Sequence, residues 1–72
     1  MKNFAEYDAS QVDWLAVEFV LNGTRMKVNR DTRAAIVHRM GDRWSAEEAA
    51  ERMGTYPTEI DRIRAAIKRA AA

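Results

Sequence analysis

Only three residues, Gly54, Thr55 and Tyr56, separate two segments that each carry a helical period, and helices joined so closely must cross at a steep angle. That crossing sets three demands. A small residue has to sit where the helices touch, a residue tolerant of positive φ has to sit at the turn, and the second helix has to return apolar side chains to the first. Ala50, Gly54, Ile60 and Ile63 meet them within the string Ala49-Ala50-x-x-Met53-Gly54-x-x-x-x-x-Ile60-x-x-Ile63. The helix starts are marked too. Ser45-Ala46-Glu47-Glu48 is a capping box, in which the hydroxyl accepts from one free N–H and Glu48 reaches back to another. Pro57 suits a first helical turn because it has no N–H to leave unpaired, and it biases Tyr56 away from the helical region.

Upstream, the same signals predict two more helices. Ser10 is placed to cap one that runs to about Leu21, with Asp13 three residues on in a capping-box-like position. Val12, Leu15, Ala16, Phe19 and Val20 make one apolar face of it, and Trp14, Val17 and Leu21 a second stripe. Asn22-Gly23 ends that helix, and Thr24 to Val28 forms a short basic linker. Asn29 then caps a helix from Arg30 to Met40, with Ile36, Val37 and Met40 inward and Arg33, His38 and Arg39 outward; Gly41 stops it. In the last helix Ile60, Ile63 and Ile67 recur up to about Ala70. No segment has a two-residue strand period. The expected fold is all-α: four helices, a trihelical core from the second to the fourth, and an additional N-terminal helix. Residues 1–9 read as a flexible terminus and residues 10–72 as a single domain.

The chain's 72 residues make one small domain, and a chain of this size buries only about 60% of its unfolded surface. It has no cysteine, hence no disulfide, thiolate metal site or cysteine nucleophile. No run approaches the roughly 20 apolar residues of a membrane span, and no signal peptide is visible, so a cytoplasmic location is expected. His38 stands alone, without acidic or cysteine partners at ligand spacing, and reads as structural. Glu47 and Glu51 read as a solvated acidic face, Ser10 and Ser45 as caps, and Trp14 and Trp44 as packing residues. No glycine-rich phosphate loop occurs. Neither an enzyme nor a cofactor nor a metal is expected.

Charge is arranged in blocks. Lys2 against Glu6, Asp8, Asp13 and Glu18 makes the first block acidic, a net of −3. Arg25, Lys27, Arg30, Arg33, Arg39 and Arg43 against Asp31 and Asp42 give +4. Glu47, Glu48, Glu51, Glu59 and Asp61 against Arg52 give −4, and Arg62, Arg64, Lys68 and Arg69 give +4. Two separated basic clusters that met on one face would bind phosphate.

From Ser45 to Ile63 the chain resembles the helix-turn-helix family of DNA-binding proteins, in the Ala-to-Gly gap of four and the Gly-to-Ile gaps of six and nine. The stretch Asp13-Trp14-Leu15-Ala16-Val17 through Leu21-x-Gly23, followed by a helix and then the motif, resembles small helix-turn-helix proteins of actinobacteria and their phages. The family likeness implies double-stranded DNA as partner. The helix beginning at Pro57 would enter the major groove, with Thr58, Asp61 and Arg62 toward base edges, while Arg43, Ser45, Arg64, Lys68 and Arg69 hold phosphates. The implied role is a transcriptional regulator or a recombination accessory factor. Four positions depart from the family pattern: Thr55 stands where an aliphatic residue packs, Tyr56 where a small hydroxyl residue caps, and Glu59 and Asp61 put carboxylates in the reading helix. An Asp there can still accept from a cytosine amino group.

Two other roles fit the sequence: an interaction module binding a host or phage protein through acidic surface and the first helix, and a structural or assembly protein. A homodimer is expected through Trp14, Val17 and Leu21, since two-fold pairing doubles the contacts on a palindromic site.

Overall fold

The computed structural model describes residues 4–71, which form a short 3₁₀ turn (Ala9–Gln11) and four helices: α1 (Trp14–Leu21), α2 (Arg30–Met40), α3 (Ala46–Met53) and α4 (Pro57–Ala71). The fold is all-α, with no strand among the described residues. α1, α4 and the 3₁₀ turn pack on α2, and α3 closes on α4.

Three of the four N-termini are capped by side chains. Asn29 accepts from the Thr32 N–H at 2.8 Å and Ser45 from the Glu48 N–H at 3.1 Å, as expected for α2 and α3. The reciprocal half of the capping box is not made: the Glu48 carboxylate pairs instead with Arg52 one turn on, at 2.8 Å. α1 differs from the expectation. Its cap is Asp13, which accepts from the Ala16 N–H at 3.0 Å, and Ser10 lies in a separate turn held by Asp8. The cause is tertiary. The start of α2 takes up backbone groups that a continuous helix would have paired internally: Asp13 N–H donates to Thr32 Oγ1 at 3.0 Å, and Asn29 Nδ2 donates to the Gln11 carbonyl at 3.1 Å.

Each of the seven expected core residues of α2 to α4 (Ile36, Val37, Met40, Ala50, Met53, Ile60 and Ile63) is buried. The core extends further, because Ala16, Val17 and Val20 of α1 and Val28 of the linker join the same cluster. Helix α1 is thus part of the core. Gly54 ends α3 at φ +68°, and the linker runs against it so closely that a Cβ there would lie 3.2 Å from Lys27 Cβ. The turn therefore needs glycine for its φ and for the approach of the linker.

Of the terminal stretch expected to be flexible, residues 1–3 lie outside the described residues. Residues 4–8 lie along α2. Arg30 donates to the carbonyls of Phe4, at 2.7 Å, and of Glu6; His38 Nε2 lies 2.8 Å from the Ala5 carbonyl; and Asp8 N–H donates to Asp31 at 3.3 Å. Ala5 is buried and Tyr7 packs on the core.

Candidate nucleic-acid interface

Helix α4 turns Ile60, Ile63 and Ala66 inward, and the helical period sends Thr58, Asp61, Arg62, Lys68 and Arg69 outward on one continuous exposed face. The three residues expected at base edges, Thr58, Asp61 and Arg62, all stand there beside the Gly54–Thr55–Tyr56 turn, and Tyr56 at its end is exposed.

Glu59 does not stand on that face. It is buried, and Arg33 of α2 meets its carboxylate through Nε at 2.5 Å and Nη2 at 3.1 Å, while a third guanidinium nitrogen donates to the Val28 carbonyl at 2.6 Å. The Thr55 hydroxyl donates to the same carboxylate at 2.9 Å. Two departures from the family pattern thus explain each other. A hydroxyl occupies position 55 because it completes the shell of a buried carboxylate, and that carboxylate is neutralised by Arg33 and turned away from the exposed face. Asp61 is the remaining acid of the exposed face.

The residues expected to hold phosphates divide. Lys68 and Arg69 are exposed on α4. Arg43 is exposed and donates to the Leu21 carbonyl at 3.1 Å, with its guanidinium 5.9 Å from the Trp44 ring. The Ser45 hydroxyl is the α3 cap, with its lone pair on the Glu48 N–H. Arg64 is a correction: it is half-buried and donates to the Gly41 carbonyl at 3.0 Å and to the Trp44 carbonyl, tying the α2–α3 loop to α4. Its position one residue after Ile63 aims it at that loop, where Nη2 meets both carbonyls, Gly41 at the end of α2 and Trp44 ahead of α3. The expected dimer stripe is also corrected. Val17 is 0% exposed and Leu21 packs partly buried on the core, so neither is free for another chain; of the three, Trp14 alone is exposed. The exposed apolar residues of α1 are Leu15, at 65%, Phe19, at 47%, and Trp14, at 41%. A short helix at the edge of the core buries one side, and α1, packed chiefly on α2, turns Ala16, Val17 and Val20 into the shared cluster.

Arg62, the residue expected to read guanine, has a partner that the sequence did not suggest. Its guanidinium lies 5.5 Å from the centre of the Phe4 ring. A single phenylalanine near the start of a chain carries no periodicity or motif, and only the path of residues 4–8 across α2 brings it to α4. Between the end of α2 and α4 lies an open groove of about 460 Å³, where Lys68 stands with Asp42, Asp61 and His38 over Val37 and Ile67. No group of three His, Asp or Glu side chains that could hold a metal ion occurs among the described residues, and none of their helices is long and apolar enough to cross a membrane.

Residues 10–72 match the model of a family described as a family of unknown function (DUF7368). No curated protein and no solved structure matches the chain.

Proposed function

The chain belongs to this family of unknown function, and from the geometry of α3 and α4 we propose that it is a helix-turn-helix DNA-binding protein, acting as a transcriptional regulator or recombination accessory factor, with α3 as supporting helix and α4 as reading helix. One observation carries the proposal. The outward face of α4 holds Thr58, Arg62, Lys68 and Arg69 with a single acid, Asp61, because the second carboxylate of that helix is withdrawn into the pair with Arg33. In this reading Arg62 and Thr58 face base edges, Asp61 accepts from a cytosine amino group, and Lys68, Arg69 and Arg43 neutralise phosphates.

The test is selection of bound sequences from a random-centre duplex library at physiological salt, followed by two variants. Arg62→Ala should lose about 5- to 100-fold in affinity for the selected duplex and relax preference at one position, as expected for loss of a bidentate base contact. Lys68→Ala should weaken all duplexes alike and reduce the slope of log K against log salt by about 1. Identical behaviour of the two variants on every duplex would refute the division of roles, and a wild-type chain that enriches no sequence would refute the function.

We assign the pairing of two copies on a palindromic site to Leu15 and Phe19, which replace the buried Val17 and Leu21 in that role. The doubly substituted Leu15→Glu, Phe19→Glu chain should still unfold cooperatively, with a melting temperature that no longer depends on protein concentration, and sediment as a monomer at micromolar concentration where the wild type sediments as a dimer. Val17→Glu should instead unfold the chain. A wild-type monomer under those conditions would favour the second reading, an interaction module, for which Leu15, Phe19 and Trp14 flanked by the acids Asp13 and Glu18 are the supporting surface.

A further inference from the structure

Among the described residues, Arg39 and Arg62 each have an aromatic ring as partner and no hydrogen bond or ion pair, whereas most of the other arginines are used differently. Arg25, Arg30, Arg33, Arg43, Arg52 and Arg64 spend their N–H groups on carboxylates or carbonyls. Arg62 spends none on a hydrogen bond or ion pair among the described residues; its contact is with the Phe4 ring, over which the guanidinium carbon lies 5.5 Å from the centre. The difference matters chemically. A carboxylate partner occupies the in-plane N–H fork that a guanine would need, whereas an aromatic ring covers one face of the guanidinium plane and leaves that fork open. An unsupported arginine at an exposed helix position samples many rotamers, and ordering it on a base forfeits that freedom.

The ring is itself held in place. Arg30 donates to the carbonyl of Phe4 and to that of Glu6, two residues on, His38 reaches the carbonyl of Ala5 between them, and Ala5 is buried. Tyr7 then sets its ring edge-on to His38 at 5.5 Å and to Trp14 at 6.2 Å. Residues 4–8 are thereby fastened to α2 at several points, and Phe4, 40% exposed, stands at the rim where α2 meets α4.

We infer that Phe4 is a positioning residue for base reading: its ring supports one face of the Arg62 guanidinium and presents the open N–H fork to the major groove, so that the N-terminal segment is part of the reading surface. This rests on the DNA-binding role proposed for α4. It makes Phe4 matter for discrimination between sequences and not for general attraction to phosphate.

The experiment uses the full chain, its Phe4→Leu variant, which keeps apolar bulk without a π face, and its Phe4→Tyr variant, which keeps the face. In the free protein, the Arg62 Hε resonance should be displaced by the ring current, lose that displacement in Phe4→Leu and retain it in Phe4→Tyr. With the duplex selected from the random-centre library and a version altered at the base pair that Arg62→Ala relaxes, Phe4→Leu should lower the affinity ratio about 2- to 5-fold, the range of an exposed cation–π contact. Phe4→Tyr should restore it, and the salt slope should not move in either variant. An undisplaced Arg62 resonance in the wild type overturns the contact. A displaced resonance together with an unchanged affinity ratio in Phe4→Leu, while Arg62→Ala still relaxes preference, overturns the positioning role alone. Failure of the wild type to enrich any duplex overturns both the role of α4 and that of Phe4, and is seen before any variant is made.

Discussion

Truncating Ile60 or Ile63 to alanine is expected to destabilise the fold by about 2–5 kcal/mol each, through the lost transfer energy and the cavity left behind. Both side chains are essentially inaccessible to solvent and sit in the cluster shared by all four helices. A domain of this length has a total stability of roughly 4–11 kcal/mol, so either substitution removes a large fraction of it. The melting temperature should fall by about 10 °C or more, given about 4–8 °C per kcal/mol in domains of this size. Thermal unfolding followed by circular dichroism measures it. Glu18→Ala, at an exposed position of α1, is the control and should stay within about 0.5 kcal/mol of the wild type. Equal and small effects in all three variants would refute the packing described for α4.

Removing one partner of the Arg33–Glu59 pair should be comparably severe. Side-chain exposures of 17% and 10% leave little water to screen or replace the interaction. In Glu59→Ala, Arg33 keeps only its bond to the Val28 carbonyl, and Thr55 loses its acceptor. An uncompensated buried charge of this kind destabilises by about 3 kcal/mol. Glu59→Gln preserves an acceptor for Arg33 and should cost less. The double substitution Arg33→Met, Glu59→Leu should recover much of the loss, because apolar side chains of similar volume often replace a buried ion pair with little penalty. Denaturant unfolding of the wild type, Arg33→Met, Glu59→Leu and the double variant closes a cycle whose coupling energy isolates the pair. If Glu59→Ala and the double variant are equally unstable, the pair does not hold the turn to α2. The same variants report on the proposed function. Apolar replacement of both partners preserves the outward face of α4, so it should leave duplex selection unchanged wherever the chain remains folded.

Local chemistry and the period of the apolar residues determined much of this protein. The caps Asn29 and Ser45, the stops at Gly41 and Gly54, the Pro57 start and the inward set of α2 to α4 depend on neighbours within four residues, and each is where those rules put it. The positions of Thr58, Asp61 and Arg62 on one exposed face follow from the same period. What only the tertiary structure decided involves partners far apart in the chain. Helix α1 carried apolar residues on two sides, and the position of α2 selected Val17 for the core and left Leu15 and Phe19 outside. Ser10 and Asp13 are both good caps, and the groups that the start of α2 offers to Gln11 and Asp13 chose between them. Glu59 and Arg64 look like any charged residues of a helix in the sequence, yet one found Arg33 from 26 positions upstream and the other found two open loop carbonyls. Period tells which side of a helix is apolar; it does not tell what will lie against that side, because burial and charge pairing are settled by which surfaces meet.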